Sequence, residues 1–329
     1  MRSTALLLAM AIAAPLSATT PVALAQAPAA QAFPSKVVRI IVAGSAGSSM
    51  DTSARALSEP MSRSWGVPVI VDVRPGANSV IGADAVAKAA PDGYTLLYVF
   101  TPFVQAPHLT AKMPYDTLTG FAPVAQATVN PLWFAINAEI PASNLREFVA
   151  LAKASPGKYA YGSPGQGSTP HLFGYVLAQR NGLDMLHVPH KGIPPAVLDV
   201  VAGRLSGIFA SYSDVGRQAQ AGKLRIVGMT GTARSKLTPD IPTMQEAGFA
   251  GFDAVGFGGF LAPAGTPRPV VERIARTVNE IVAMPDVGER LASFGLDPVS
   301  STPESFAALL RSQLEVWKQI MASAGVKPE

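Results

Sequence analysis

The chain has 329 residues, no cysteine and a formal net charge of +4. The lack of cysteine excludes disulfide bonds and thiolate chemistry at a metal or a nucleophile. The lysines and arginines are scattered, whereas nucleic-acid binding usually requires a basic stripe, so no nucleic-acid partner is expected. A chain of this length exceeds a typical single domain, which favours two lobes.

The N-terminal segment has the order of a secretory signal. Arg2 precedes an apolar run from Ala5 to Leu16, and Ala23-Leu24-Ala25 has the small residues of a cleavage site. We predict a signal peptide at residues 1–25, a low-complexity spacer at 26–32 and an exported, periplasmic protein whose mature chain begins near Gln26 and whose folded part begins at Phe33. No later stretch approaches the roughly 20 apolar residues of a membrane span.

Beyond the spacer, apolar β-branched runs alternate with helical patterns. The predicted strands are 37–42, 67–71, 95–99, 132–136, 159–161, 185–188 and 224–228. The predicted helices are 52–64, 80–89, 148–154, 171–180, 195–201, 214–221, 269–284 and 303–322. Asn144 with Glu147 predicts a capping box, and Thr169-Pro170 and Thr302-Pro303 predict helix starts. The alternation predicts an α/β fold with mostly parallel sheets and helices on both faces.

Two turns rich in glycine and hydroxyl residues each join a predicted strand to a predicted helix. Residues 43–51, Ala-Gly-Ser-Ala-Gly-Ser-Ser-Met-Asp, are named the first turn, and residues 162–171, Gly-Ser-Pro-Gly-Gln-Gly-Ser-Thr-Pro-His, the second turn. Small residues let a ligand approach the backbone, and the N–H groups and positive dipole end of a following helix favour a carboxylate or phosphate. The pair predicts a small-anion site at the carboxyl ends of two strands. The alternative, that both turns only permit tight connections, stays open.

Other chemistries have weaker support. The chain contains neither G-x-x-x-x-G-K-[ST] nor G-x-G-x-x-G, so nucleotide binding is not expected. Ser168 and His171 lie three residues apart at a predicted helix start, which leaves a hydrolase as the alternative, although no G-x-S-x-G motif accompanies them. His187 and His190 flank Val188-Pro189 without a carboxylate cluster, so neither a metal nor a cofactor is predicted.

An ordered set of motifs along the chain resembles one known family. The motifs are Phe33-Pro-Ser-Lys36, Arg74-Pro-Gly-Ala77, Ala90-Pro-Asp-Gly-Tyr94, Met113-Pro-Tyr-Asp116, Phe121-Ala-Pro-Val124, Ala221-Gly-Lys-Leu-Arg225, Asp240-Ile-Pro-Thr243 and Ala262-Pro-Ala-Gly-Thr-Pro267. From Phe33 to Pro328 the chain resembles the Bug (TctC-type) family, the extracytoplasmic solute receptors of tripartite tricarboxylate transporters.

The resemblance implies a periplasmic-binding-protein fold that closes on a small carboxylate. In this fold, two α/β lobes with mostly parallel sheets are joined by two crossover strands, and the ligand lies in the cleft between the lobes. We place lobe 1 at residues 33–125 and 254–329, lobe 2 at 126–253, and the crossover strands near 124–128 and 257–262.

The resemblance also implies which residues bind the ligand. In the family, backbone N–H groups, hydroxyls and ordered water at the two turns hold one ligand carboxylate without an arginine, and neither turn of this chain contains Arg or Lys. Asp51 is expected to fix the first turn, because a carboxylate beside an anion would repel it. The loop 75–79 is expected to line the same cleft. The predicted ligand-binding residues are Gly44, Ser45, Ala46, Gly47, Ser48, Ser49, Ala77, Asn78, Gly165, Gly167, Ser168, Thr169, His171, His190 and Ser211.

Two departures from the family pattern bear on specificity. Ala43 and Gly44 stand where the family usually has Pro and Phe, so the pocket is expected to lack an aromatic wall. Residues 209–212, Phe-Ala-Ser-Tyr, offer no acid to a ligand ammonium, which favours a non-amino mono- or dicarboxylate.

The sequence therefore predicts a periplasmic receptor that captures a small organic carboxylate by hinge closure and catalyses no reaction. Its partners would be membrane transport subunits of a tripartite tricarboxylate transporter or a sensor kinase, and the receptor is expected to be a monomer. The alternative is a secreted serine hydrolase that uses Ser168 and His171.

Overall fold

The computed structural model describes residues 33–252 and 256–328. These residues belong to one unit that begins at Phe33. The predicted signal peptide (1–25) and spacer (26–32) lie outside the described residues.

Strands occur at every predicted position, with ends shifted by up to two residues. The strands are β1 Val38–Val42, β2 Val69–Val73, β3 Thr95–Val99, β4 Phe121–Asn130, β5 Trp133–Asn137, β6 Tyr159–Ser163, β7 Met185–Pro189, β8 Gly207–Ala210, β9 Leu224–Met229, β10 Gly256–Pro263 and β11 Asp297–Pro298. The predicted crossover strands are present as β4 and β10. The short strands β8 and β11 were not predicted.

The predicted helices are also present, and two further helices, α3 and α9, appear. The helices are α1 Ser49–Trp65, α2 Val80–Ala87, α3 Pro102–Leu109, α4 Leu145–Ala154, α5 Thr169–Asn181, α6 Ile193–Val201, α7 Tyr212–Gln220, α8 Arg268–Val282, α9 Pro285–Ser293 and α10 Pro303–Ser323. Asn144 caps α4 by accepting from the Glu147 N–H, as predicted, but the predicted capping box is not formed, because the Glu147 side chain accepts from the Ser143 N–H instead of the Asn144 N–H. At α5 the cap is Ser168, one residue before the predicted Thr169. No helix among the described residues is long and apolar enough to cross a membrane.

The strands form two sheets. The first sheet has the order β11-β4-β10-β3-β1-β2, and the second has the order β7-β6-β8-β5-β9. The prediction of mostly parallel sheets is wrong, since only four of the nine pairings between described strands are parallel. The physical reason is that the strands at which the chain passes between the sheets pair antiparallel. The crossover strands β4 and β10 pair with each other in this way, and β5 runs antiparallel to both of its neighbours.

The chain changes sheets twice. It leaves the first sheet at the end of β4, enters the second sheet at β5, and returns with β10. The proposed lobe boundaries at 125/126 and 253/254 fall close to these changes and stay a prediction.

Alternate strand residues pack in opposite directions, as the period of two in a strand requires. In β1, Val38, Ile40 and Val42 join one apolar cluster with α1 and α8, whereas Ile41 joins another with α2, α3 and α10. That second cluster continues to residues of the second sheet, where Trp317 of α10 packs on Phe173 with ring centroids 5.5 Å apart. The last helix therefore packs against helices associated with both sheets.

Candidate functional site

A cavity of about 240 Å³ lies where the starts of five helices meet. These helices are α1 and α3, which follow strands of the first sheet, and α5, α6 and α7, which follow strands of the second sheet. Their contributions to the lining are Ser49, Pro102, Thr169, Ile193 and Ser211. Unpaired N–H groups give the first turn of each helix a partial positive charge, so the arrangement favours an anion.

The first turn is built around Asp51. The Gly47 N–H donates to Asp51 Oδ2 at 2.8 Å, and Gly47 has a φ of 75°, which favours glycine. Ser48 caps α1 by accepting from the Asp51 N–H. Arg55 Nε donates to Asp51 Oδ1 at 2.8 Å, so the charge of the carboxylate is paired within the helix. The expectation that Asp51 fixes the turn is confirmed.

The second turn repeats this construction with another acceptor. The Gly167 N–H donates to His171 Nδ1 at 3.1 Å, and Gly167 has the same φ of 75°. Ser168 caps α5 by accepting from the His171 N–H, while its own hydroxyl donates to the Gly165 carbonyl at 2.6 Å. Because Nδ1 accepts, the imidazole of His171 is neutral and carries its hydrogen on Nε2.

Behind the second turn, two imidazoles pack against each other. The ring centroids of His171 and His187 are 4.0 Å apart, and His187 Nε2 lies 2.7 Å from the Ser163 hydroxyl. Burial, reinforced by the neighbouring His171 and His190, lowers the pKa of His187 to about 4. Burial also lowers the pKa of His171. Both rings are therefore neutral at neutral pH, and they pack against the second turn.

Three of the predicted ligand-binding residues line the cavity directly: Ser49, Thr169 and Ser211. Most of the others form the turns that position the starts of α1 and α5: Gly44, Ser45, Ala46, Gly47, Ser48, Gly165, Gly167 and Ser168. His171 is only 6% exposed and holds the second turn. The ligand contacts of these residues stay a prediction.

The loop that contains Ala77 and Asn78 lies against the first turn. The Ser79 hydroxyl donates to the Ala43 carbonyl at 2.9 Å. Ala77, Asn78 and Ser79 all have positive φ, at 46°, 51° and 76°, a left-handed conformation that is costly for residues other than glycine. Ala77 and Asn78 are exposed and do not line the cavity.

His190 does not line the cavity either. Its Nε2 lies 2.9 Å from Asp199 Oδ2, and Asp199 also pairs with Arg204. Hydrogen bonds from His190 and Arg204 hold the pKa of Asp199 below its usual range. The structure therefore gives His190 a partner at the surface of the second sheet.

Ser168 and His171 do not form a nucleophile and a base. The Ser168 hydroxyl donates to the Gly165 carbonyl, and His171 Nδ1 is occupied by the Gly167 N–H. A hydrolase needs the imidazole on the serine hydroxyl, so the geometry does not support the alternative.

Sequence reasoning missed several residues of the lining. Phe100 and Thr101 directly precede α3, a helix that was not predicted, Asn130 is the last residue of β4, and Pro131 follows it. Asp214, the third residue of α7, also lines the cavity. The premise that a ligand ammonium would find no acid is therefore wrong, because α7 begins at Tyr212 and its first turn brings Asp214 back to the cavity.

The cavity lining, within the described part of the chain, contains no Lys, Arg or His. Gln105 and Thr169 connect its two sides, since Gln105 Nε2 of α3 donates to Thr169 Oγ1 of α5 at 2.9 Å. Residues 33–252 and 256–328 contain no group of three His, Cys, Asp or Glu that could hold a metal ion.

Comparisons with known proteins give a family match and related sequences. Residues 53–326 match the family described as "Tripartite tricarboxylate transporter family receptor". A relative from Pseudomonas sp. (strain P51), "UPF0065 protein in tcbD-tcbE intergenic region", is 36% identical over 291 residues, covering 88% of this chain and 87% of the relative.

Two solved structures show the same fold. The periplasmic binding protein BugD superposes with a TM-score of 0.74 at 30% identity, covering 90% of this chain and 100% of BugD. Rpa4515 of R. palustris, solved with adipate, superposes with a TM-score of 0.78 at 25% identity, covering 90% of this chain and 100% of Rpa4515. The chain therefore belongs to the receptor family of tripartite tricarboxylate transporters, the Bug-type periplasmic solute-binding proteins.

Proposed function

We propose that this protein is a periplasmic receptor that captures a small organic carboxylate in the cavity at the five helix starts. It releases the ligand unchanged, either to the membrane subunits of a transporter or to a sensor. The adipate held by the relative Rpa4515 supports a carboxylate as the ligand class.

The observation that carries the proposal is the convergence of helix starts on a cavity lined without a cation. Each first turn offers N–H groups that lack an intrahelical acceptor. In α1 and α5, the serine caps satisfy only one such group each, which leaves the N–H groups of Ser49 and Thr169 for a ligand. A carboxylate has two oxygens and therefore fits between them.

The placement of these two residues supports hinge closure as the mechanism of capture. Ser49 starts a helix that packs on the first sheet, and Thr169 starts a helix that packs on the second. A carboxylate that contacts both binds the closed form better than the open form, and only such a difference shifts the population. The Gln105–Thr169 hydrogen bond spans the same gap.

Thermal unfolding and calorimetry of the mature protein with matched pairs of compounds test the proposal. Hexanoate and adipate are compared with hexanamide, which has the same carbon chain as hexanoate without the charge. A ligand that binds only the native state raises the melting temperature. We expect a carboxylate to raise it and hexanamide to have no effect. Equal effects of acid and amide, or no effect of any carboxylate, would contradict the proposal.

The variant Ser49→Asp locates the site without weakening the helix. An acid is favourable in a helix first turn, so α1 is retained, but its charge repels a bound carboxylate. We expect affinity to fall by roughly tenfold or more, about 1.4 kcal/mol. Pro269→Asp is the matched control, because it adds the same charge to the first turn of α8, whose start lies outside the cavity lining. Mass spectrometry of the recovered ligand completes the test, since a chemically altered ligand would indicate an enzyme.

A further inference from the structure

The cavity contains a second group of polar side chains, which is separate from the helix starts at Ser49 and Thr169 that are proposed to hold the carboxylate. Asn130, at the end of β4, is 9% exposed and lines the cavity. Its Oδ1 accepts from the Thr128 hydroxyl at 2.7 Å, whereas its Nδ2 is buried without any acceptor. Buried donors are almost always paired, so this N–H group indicates a place for a ligand oxygen.

Asp214 is the second member of the group. It lies in the first turn of α7 and lines the same cavity, and its Oδ2 accepts from the Ser211 hydroxyl. Burial raises the pKa of the Asp214 carboxyl. In the described lining, no Lys, Arg or His is present to compensate its charge. A ligand group that donates a hydrogen bond would stabilise this carboxylate.

The two side chains make opposite demands on a ligand. Asn130 Nδ2 requires an acceptor, and the Asp214 carboxylate requires a donor. We propose that this pair selects a monocarboxylate that carries a hydroxyl group at its other end. The inference rests on the proposed function, in which the helix starts at Ser49 and Thr169 hold the carboxylate.

Other terminal groups satisfy the pair less well. A second carboxylate accepts from Asn130 but lies beside the charge of Asp214 without a compensating cation. An ammonium donates to Asp214 and leaves Asn130 unpaired, and a methyl group leaves both unpaired. A hydroxyl both accepts and donates. The carbon chain of the ligand would lie against apolar walls, which are formed by Phe100, Leu132, Ile193 and Leu296.

Calorimetry near neutral pH with acids of equal length tests the selectivity. The six-carbon series is hexanoate, 6-hydroxyhexanoate, 6-aminohexanoate and adipate, and the four-carbon series is butanoate, 4-hydroxybutanoate, 4-aminobutanoate and succinate. In the series that binds more tightly, we expect the hydroxy acid to bind best, by roughly tenfold over the dicarboxylate.

Two variants assign the preference to the pair. Asp214→Asn keeps the shape and removes the charge, so we expect the advantage of the hydroxy acid over the dicarboxylate to fall by roughly tenfold. Asn130→Leu removes the donor, so the hydroxy acid should lose its advantage over the unsubstituted acid. Asp199→Asn is the matched control, because this carboxylate pairs with His190 outside the cavity lining. It should leave all the affinity ratios unchanged.

The outcomes separate the inference from the proposed function. If carboxylates bind but an acid other than the hydroxy acid binds best in the series that binds more tightly, the selectivity inference is wrong and the receptor function stands. If Asp214→Asn changes the ratio no more than Asp199→Asn, the inference is also wrong. If no acid in either series or in the earlier panel binds, the proposed function itself fails.

Discussion

The first and second turns share one backbone and differ in the side chain that holds it. In each turn a glycine with a φ of 75° donates its N–H to the residue four positions later, and a serine caps the helix. The acceptor is the Asp51 carboxylate in the first turn and the neutral His171 imidazole in the second. The two helix starts are therefore equivalent in geometry and different in charge.

The surroundings explain the difference in acceptor. Asp51 is 4% exposed, but its partner Arg55 has a side chain that is 52% exposed, so the ion pair retains access to water. His171 lies against His187 and Tyr161, where a buried charge would have no partner. One loop geometry is thus held by an ion near water and by a neutral ring in the interior.

Alanine at the two equivalent glycines should give the largest difference in stability between the two turns. Gly47→Ala and Gly167→Ala both place a side chain at positive φ, which costs roughly 1–2 kcal/mol. A Cβ at Gly47 meets nothing within 4 Å, whereas one at Gly167 would lie 2.8 Å from Leu109 Cδ2. Overpacking should add roughly 1–3 kcal/mol to the second substitution alone. Urea unfolding measures both free energies.

Leu109→Ala provides the control for this pair. In that background the contact at Gly167 is removed, so the two glycine substitutions should cost the same. Equal costs in the original background would show that the second turn moves away from Leu109 freely.

Acid should weaken the second turn through its histidines. The pKa of His187 is about 4 in the folded protein and about 6.5 in an unfolded chain, so the unfolded state binds more protons as the pH falls. The stabilisation is complete above about pH 6.5 and is lost as the pH falls toward about 4. After a discount for the partial exposure of His187, the free energy of unfolding should fall by on the order of 2 kcal/mol.

The variant His187→Gln tests the assignment, because glutamine does not titrate and its amide keeps a hydrogen-bonding group for the Ser163 hydroxyl. Urea unfolding at several pH values should give a smaller slope between about pH 6.5 and about 4 than the unsubstituted protein. An unchanged slope in His187→Gln would assign the acid sensitivity to other groups.

Much of the fold could be predicted from the sequence, because most strands are apolar runs and most helices have clear starts. β3 was predicted with its observed ends, and the capping residues of α4 and α10 were found. α3 was missed because Pro102 and Pro107 interrupt its pattern, although Pro102 is at the first helical position and tolerated there. β8 was missed because its four residues are too short to show periodicity.

The site could be predicted only in part, for a similar reason. Ser49, Thr169 and Ser211 are close to glycine or hydroxyl signals in the sequence, and they line the cavity. Asn130 and Asp214 carry no such signal, since their position depends on where β4 ends and where α7 begins. Local patterns identify a helix start, but tertiary structure decides which starts converge.

The serine caps should show the smallest difference between the turns. Ser48→Ala removes one cap bond and should cost about 1 kcal/mol. Ser168→Ala also removes the hydroxyl that donates to the Gly165 carbonyl, so its cost should be higher, by about 0.5–1 kcal/mol. Urea unfolding of the ligand-free protein measures both values, and Ser→Thr at each position, which keeps the hydroxyl, should restore most of the loss. Equal costs would mean that the bond from Ser168 to Gly165 adds nothing, and that His171 alone holds the second turn as Asp51 holds the first.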